Sequence, residues 1–307
     1  MKGYEISVRL LSLAKDLSSQ QRKGRDQCLF LRLPKSTYRV GFARNFSCLE
    51  TGQSVDKACG AGADLVTIDL EDAVGVKDKE STREQVLAWL SETRHKNVSL
   101  RINAVDTDFG KADIEALIAS KLSLPYLMIP KVETKSDIDE LDKVLPDELG
   151  PFFPIIETAQ GLLNSRDIFS SSRVRLAMFG SVDFSADINS EISWDAHLYA
   201  RSHLIACAAA EDVTLFDAPH INVKDLEDCK RTTKQAKALG LHARSAIHPA
   251  QLGMIKEVLY PTDSEISYAK EIIAAYDSAE GNVVLLNGKF VEEPVIKKAR
   301  KTLDFVK

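Results

Sequence analysis

Phe153 to Gly161 reads FPIIETAQG, and Ala177 to Asp183 reads AMFGSVD. Each stretch is a short apolar run that leads into a carboxylate. A run of that kind reads as a strand buried on both faces, as in a parallel sheet. Glu157 and Asp183 then stand at the carboxyl ends of two neighbouring strands, the edge at which parallel α/β folds bind ligands. Two carboxylates with no thiolate or imidazole beside them suit a hard divalent cation, Mg²⁺ before Zn²⁺. The alternative is a pair of surface acids that follow strands by chance. The same pattern recurs along the chain and weighs against it.

Outward from this pair, strand-like runs cover Leu65 to Leu70, Val98 to Ile102, Tyr126 to Pro130, Phe153 to Ile156, Leu176 to Phe179, Val213 to Phe216 and Ser245 to Ile247. Helical patterns lie between them: Lys79 to Glu92, Ala112 to Ser120, Ser136 to Leu145, Leu198 to Ala210 and Asp225 to Leu239. The strands recur every 25 to 35 residues or so, the size of a βα unit. An eighth strand must come first; Val40 to Ala43 suits it by spacing, and Cys28 to Leu31 is the competitor. Eight units make a (β/α)₈ TIM barrel of about 250 residues. The expected division is a short N-terminal arm at 1–37, a barrel catalytic domain at 38–263 and a C-terminal helical or lid extension at 264–307. An open doubly wound sheet is the competing α/β architecture. It predicts a glycine-rich phosphate turn, and neither G-x-G-x-x-G nor a Walker A loop occurs.

The bulk properties narrow the function. At 307 residues, with 44% hydrophobic and 28% charged residues, the chain reads as a soluble globular protein. A net charge of -5 provides no basic footprint for nucleic acid. The five cysteines, Cys28, Cys48, Cys59, Cys207 and Cys229, have no regular spacing, which points to reduced thiols in a cytoplasmic protein. No apolar run approaches the roughly 20 residues of a membrane helix. The basic, partly apolar first 25 residues read as a solvated arm rather than a transit peptide, because Glu5 and Asp16 interrupt the basic pattern.

Polar residues collect after the strand ends: Asp69, Glu71 and Asp72; Arg101 and Asn103; Lys131 and Glu133; then Glu157, Asp183, Asp217 and His248. In a barrel they converge on one mouth, and that convergence argues for an enzyme. Arg101 suits a substrate carboxylate, because a guanidinium matches a carboxylate in a two-pronged fork. Asp69 and Glu71 alternate with Leu70 and share a face, with Asp72 turned away; one of the pair is expected to orient Arg101 or a metal-bound water, and structural pairing competes with a catalytic role. Lys131 reads equally as a substrate contact and as an ion-pair partner. His248 reads as a supporting residue, and His95, His197, His203, His220 and His242 as ordinary. Ser47, Ser181 and Ser185 lack the G-x-S-x-G setting of a nucleophile. Gly161 and Gly180 allow close backbone approach or a tight turn.

These residues resemble the family of the citrate lyase beta subunit, with malyl-CoA and citramalyl-CoA lyases and, more distantly, the HpcH/HpaI aldolases. The resemblance runs from about Gly60 to Val306. It is carried by GADLVTIDLEDAV from Gly62, LRIN at Leu100, MIPKVE at Met128, PIIETAQGLLN, FGSVDFSADI, YARSHLI at Tyr199 and AIHPAQL at Ala246. It implies that Glu157 and Asp183 hold Mg²⁺, that Arg101 binds substrate carboxylate and carbonyl, and that Glu71 helps build the site. A C-terminal lid of the form GKMID-x-P reaches a neighbouring subunit in some members. Here it reads GKFVEEP, with Glu292 where the family has aspartate. The family's R-S-x-L-F-V-P-G opening is matched only by LFLRLP at Leu29 and YRVGFARN at Tyr38, and Arg244 stands where a lysine usually precedes the IHP motif.

The resemblance implies a Mg²⁺-dependent carbon–carbon lyase that cleaves a 3-hydroxyacyl-CoA thioester of the citramalyl or malyl type to a 2-oxo acid and acetyl-CoA. It places Arg101, Glu71 and Glu292 in catalysis; Arg101, Glu157 and Lys131 are the residues expected on the substrate. It also implies a homo-oligomer, a trimer or hexamer. The rivals are an aldolase on free acids, a citrate lyase beta-type subunit working on an acyl-carrier-protein thioester, and a binding or scaffold subunit without turnover.

Overall fold

The computed structural model describes residues 39–43, 51–279 and 284–304. The N-terminal arm, Cys28, Ser47, Cys48 and the competing first strand lie outside the described residues. The chain has an α/β fold whose parallel sheet curls into a TIM-like barrel. Its strands are β1 (Arg39–Ala43), β2 (Leu65–Asp69), β3 (Val98–Arg101), β4 (Leu127–Ile129), β5 (Phe152–Ile156), β6 (Leu176–Phe179), β7 (Thr214–Asp217) and β8 (Ala243–Ala246). They pair in sequence order, and β1 also pairs with β8, which closes the sheet.

The helices that follow them are α1 (Thr51–Gly60), α2 (Lys79–Glu92), α3 (Asp108–Ser120), α4 (Lys135–Val144), α5 (Ala159–Leu163), α6 (Ser165–Phe169), α7 (Ser181–Ile188), α8 (Leu198–Ala210), α9 (Leu226–Leu239) and α10 (Pro249–Leu259). The C-terminal segment adds α11 (Asp263–Ser278), a hairpin of β9 (Val284–Leu286) and β10 (Lys289–Val291), and α12 (Glu293–Asp304). Ala269, Ile272, Val291, Ile296 and Ala299 give it a small core of its own. No helix among the described residues is long and apolar enough to cross a membrane.

Alternation along the strands builds two cores. Leu65, Tyr126, Met128, Phe153, Ile155, Leu176, Met178 and Phe216 form one cluster, with the Phe153 and Phe216 rings 5.0 Å apart. Their neighbours Val66, Ile68, Leu127, Phe152, Ile156, Ala177 and Leu215 join the other, where the helices pack. Both faces are buried, so the strands read as unbroken apolar runs.

Boundaries differ where polar residues sit inside elements. β8 begins at Ala243, two residues before the expected Ser245, because buried Arg244 and Ser245 interrupt the apolar signal. β7 is displaced by one residue from Val213–Phe216 and ends on buried Asp217. α4 begins at Lys135, one residue before Ser136, and is capped by Thr134, which forms a reciprocal capping box with Asp137. α3 begins at Asp108, four residues before Ala112, with Thr107 as its cap and Gly110 in its first turn. That glycine is required by space, since a Cβ there would lie 2.1 Å from the Ala104 carbonyl oxygen. Gly110→Ala is therefore expected to destabilise the protein by about 1–3 kcal/mol in urea unfolding, by forcing backbone to move; an unchanged midpoint would contradict this packing.

Candidate active site

Asp69 ends β2, Arg101 ends β3, and the two are direct register partners. The Arg101 Nε and Nη2 groups donate to the two Asp69 carboxylate oxygens at 2.7 and 2.6 Å. Nη1 lies 2.7 Å from Glu71 Oε2, and Nη2 lies 3.3 Å from Asp72 Oδ2 at the exposed rim. Asp72 therefore does not point away as strand alternation predicts. The strand ends at Asp69, whose carboxylate accepts the Glu71 and Ala73 backbone N–H groups and curls the chain back over Arg101. The two-pronged face of Arg101 is thus occupied by Asp69, and only the rim side of the guanidinium faces outward. Burial alone would lower the Arg101 pKa, but the hydrogen bonds and charge of Asp69, with Glu71 and Asp72, raise it above its ordinary value. The guanidinium stays charged.

Glu157 follows β5 and is 3% exposed. Its Oε1 accepts the Lys131 backbone N–H at 2.8 Å. Lys131 adopts a left-handed conformation (φ 53°), unusual for a residue with a side chain, two residues beyond the end of β4. Its ammonium is half-exposed, 3.5 Å from Glu71 Oε1. Burial opposes the Lys131 charge, while the charges of Glu71, Glu157 and Asp183 raise its pKa. Asp183 is not at a strand end. It rides in the first turn of α7, half-buried, within electrostatic reach of Glu157. Glycine at 180 makes room for this arrangement, since a Cβ there would lie 2.5 Å from Glu157 Cβ and 2.6 Å from Oε2. Gly180→Ala is expected to displace the Glu157 carboxylate, and a Mg²⁺ ion held there would then bind at least about tenfold more weakly, with circular dichroism unchanged; wild-type affinity in this variant would place the ion elsewhere.

Burial pushes the Glu157 carboxyl up to about 8, and the negative charges of Glu71 and Asp183 add to the shift. Burial likewise pushes Glu71 to about 7, against the pull of Arg101. A carboxyl raised this way holds its proton in the folded state while the unfolded chain has already released it. Its contribution to stability is full below the unfolded value and is lost as pH rises through the folded one. In chelator, the melting temperature of wild type should therefore fall relative to Glu157→Gln between about pH 5 and pH 8. A constant difference would contradict the shift.

The donor set fits Mg²⁺. Crowded carboxylates raise one another's pKa and favour a cation between them. Glu71 Oε1 is buried and makes no hydrogen bond, although Lys131 lies nearby. No group of three or more His, Cys, Asp or Glu side chains that could hold a metal forms among the described residues. The open pair of Glu157 and Asp183 suits an ion that keeps water or substrate oxygens in its remaining positions.

The structure thus joins Arg101, Glu71, Lys131, Glu157 and Asp183 in one charged cluster. Glu292 is exposed, at the entry to α12, and enters none of the contacts that join the cluster. Asp217 is fully buried and receives Arg201 Nε at 2.8 Å, pinning α8 to β7. Arg244 is engaged by the Ala218 carbonyl, Thr232 and Thr233, a packing role. His248 caps α10 by accepting the Ala250 N–H. His197 is buried and shares a hydrogen bond with Ser185. Sequence reasoning missed Lys79, which is buried beside Glu71. At the start of an amphipathic helix it reads as a surface residue, and nothing in the pattern marks it otherwise.

A family model described as HpcH/HpaI aldolase/citrate lyase matches residues 44–249. A (3S)-malyl-CoA thioesterase of Cereibacter sphaeroides is 32% identical over 259 residues, covering 82% of this chain and 89% of the relative. The citrate lyase subunit beta of Leuconostoc mesenteroides subsp. cremoris is also 32% identical, covering 79% and 85% respectively. Among solved structures, CitE of Mycobacterium tuberculosis in complex with magnesium, acetoacetate and coenzyme A superposes with a TM-score of 0.75 at 25% identity, over 90% of this chain and all of that one.

Proposed function

The chain belongs to the HpcH/HpaI aldolase/citrate lyase family, and we propose that it is a Mg²⁺-dependent carbon–carbon lyase acting on a 3-hydroxyacyl-CoA thioester of the malyl or citramalyl type. The observation that carries this reading is the buried Glu157, set against Asp183 and Glu71 and facing Arg101 and Lys131. Relatives named for malyl-CoA and citrate, and a neighbour holding magnesium and coenzyme A, support the substrate class. The proposal takes the barrel as a full (β/α)₈ unit at 38–263, with 1–37 as arm and 264–307 as extension.

Glu157 and Asp183 would hold Mg²⁺, which when bound acts as a Lewis acid that acidifies the substrate hydroxyl and polarises the carbonyl formed from it. Glu71, with a pKa near neutrality, takes the hydroxyl proton. The carbon–carbon bond then breaks, its electron pair passing to the thioester enolate, and the 2-oxo acid is left behind. Arg101, fixed by Asp69, offers its rim side to the developing negative charge, where a substrate carboxylate displaces Asp72. Lys131, half-exposed beside Glu71, shares the charge of that substrate carboxylate with Arg101. The enolate accepts a proton from a carboxylic acid. In this proposal that acid is Glu292, exposed and apart from the cluster, which would act at the site of a neighbouring subunit in a homotrimer or hexamer.

Thioester hydrolysis is the second reading, favoured by the name of the Cereibacter relative. Product analysis separates them. Incubation with malyl-CoA and with citramalyl-CoA is expected to release a 2-oxo acid and acetyl-CoA without free thiol. Free CoA thiol and hydroxy acid in equal amounts, with no 2-oxo acid, would establish the hydrolase instead.

A further inference from the structure

Lys79 opens α2 and is 8% exposed. A cation there is doubly disfavoured, by burial and by the positive end of the helix dipole. It is held nonetheless by three acceptors. Its ammonium donates to the Leu70 carbonyl at 2.7 Å, the Glu71 carbonyl at 2.6 Å and Asn103 Oδ1 at 2.5 Å. These match the three donors that a lysine has. The Phe109 ring lies 5.8 Å from the same nitrogen.

The third acceptor is itself anchored. Asn103 donates through its backbone N and Nδ2 to Asp113 Oδ2, at 2.8 and 2.7 Å. Arg83 Nη1 meets Asp113 Oδ1 at 3.2 Å. A continuous line of charge-assisted bonds therefore ties α2 and α3 to the ends of β2 and β3. The two carbonyls that Lys79 grips belong to Glu71 and the residue before it. The Glu71 carboxylate in turn stands 2.7 Å from Arg101 and 3.5 Å from Lys131.

We propose that Lys79 is a positioning residue, whose ammonium clamps the Leu70–Glu71 backbone to Asn103 and so fixes where the Glu71 carboxylate meets Arg101. This assignment rests on the reading above insofar as Glu71 and Arg101 touch the substrate. Any buried ammonium needs three acceptors; what points to a clamp is that two of these three are consecutive carbonyls on the segment that carries a site carboxylate.

Lys79→Met and Lys79→Gln in the full chain test it. In the Met variant kcat for the thioester cleaved by wild type should fall about a hundredfold, with KM within about threefold, because misplacement of a reacting group by about an ångström has that effect. Amide exchange at residues 70–74 should accelerate at least about tenfold, with β4 to β8 unchanged. The Gln variant, which keeps two donors, should fall between. Unchanged exchange at 70–74 would overturn the proposal, as would loss of protection throughout the barrel, or wild-type kcat in a variant whose loop has loosened. If wild type cleaves neither thioester, the reading of the site fails separately. The exchange measurement then still decides whether Lys79 holds the segment.

Discussion

Glu157→Gln is expected to lower turnover about a thousandfold and to remove most of the Mg²⁺-induced rise in melting temperature. Several kcal/mol of transition-state stabilisation are at stake when a metal that polarises oxygen is lost, and each 1.36 kcal/mol is a factor of ten. The substitution keeps the shape and the Oε1 acceptor for the Lys131 N–H, so loss of charge is isolated from loss of packing. The protein without metal should if anything become more stable near pH 8, where the wild-type carboxyl is ionised at an energetic cost in its buried place. Asp183→Asn should share the metal phenotype. Wild-type turnover or an undiminished Mg²⁺ shift in Glu157→Gln would place the metal elsewhere.

Arg101→Met is expected to destabilise the fold by about 3–5 kcal/mol in urea unfolding, since removing one partner of a buried ion pair leaves the other charged without compensation. Asp69 is 3% exposed and loses two strong donors; Glu71 loses its nearest cation. Glu71 can relieve its share by taking a proton, and Asp69 keeps the N–H groups of Glu71 and Ala73, which points to the lower half of that range. Replacing both members, as in Arg101→Met with Asp69→Leu, should recover part of the loss, a coupling that a double-mutant cycle measures directly. A change within about 0.5 kcal/mol for Arg101→Met, the span of ordinary surface substitutions, would mean that the fork at the end of β3 is not the anchor described.

Most of the sheet was legible in the sequence because its strands are buried on both faces and stand out as apolar runs. Leu65 to Leu70 and Leu176 to Phe179 fall within a residue of the observed strands for that reason. β8 blurred because Arg244 and Ser245, both buried and hydrogen-bonded, look polar in one dimension. The carboxylates of the site were visible as charges that follow strands. Their pairing was not, because it depends on how the chain turns after β2. Alternation predicts Asp72 on the far side, and the Asp69 turn brings it back to Arg101. Asp183 was expected at a strand end and instead sits on a helix, since Gly180 ends β6 three residues earlier. Lys79 had no signal at all, because a buried lysine and a surface one have the same letter.

The most direct test of the Mg²⁺-dependent lyase reading is 2-oxo acid release from malyl-CoA and citramalyl-CoA, followed as the phenylhydrazone, with Mg²⁺ and then with chelator. The account predicts release from at least one of the two, abolished by chelator and restored by added Mg²⁺. Release that persists in chelator, or none from either thioester by folded protein that binds Mg²⁺, would contradict it.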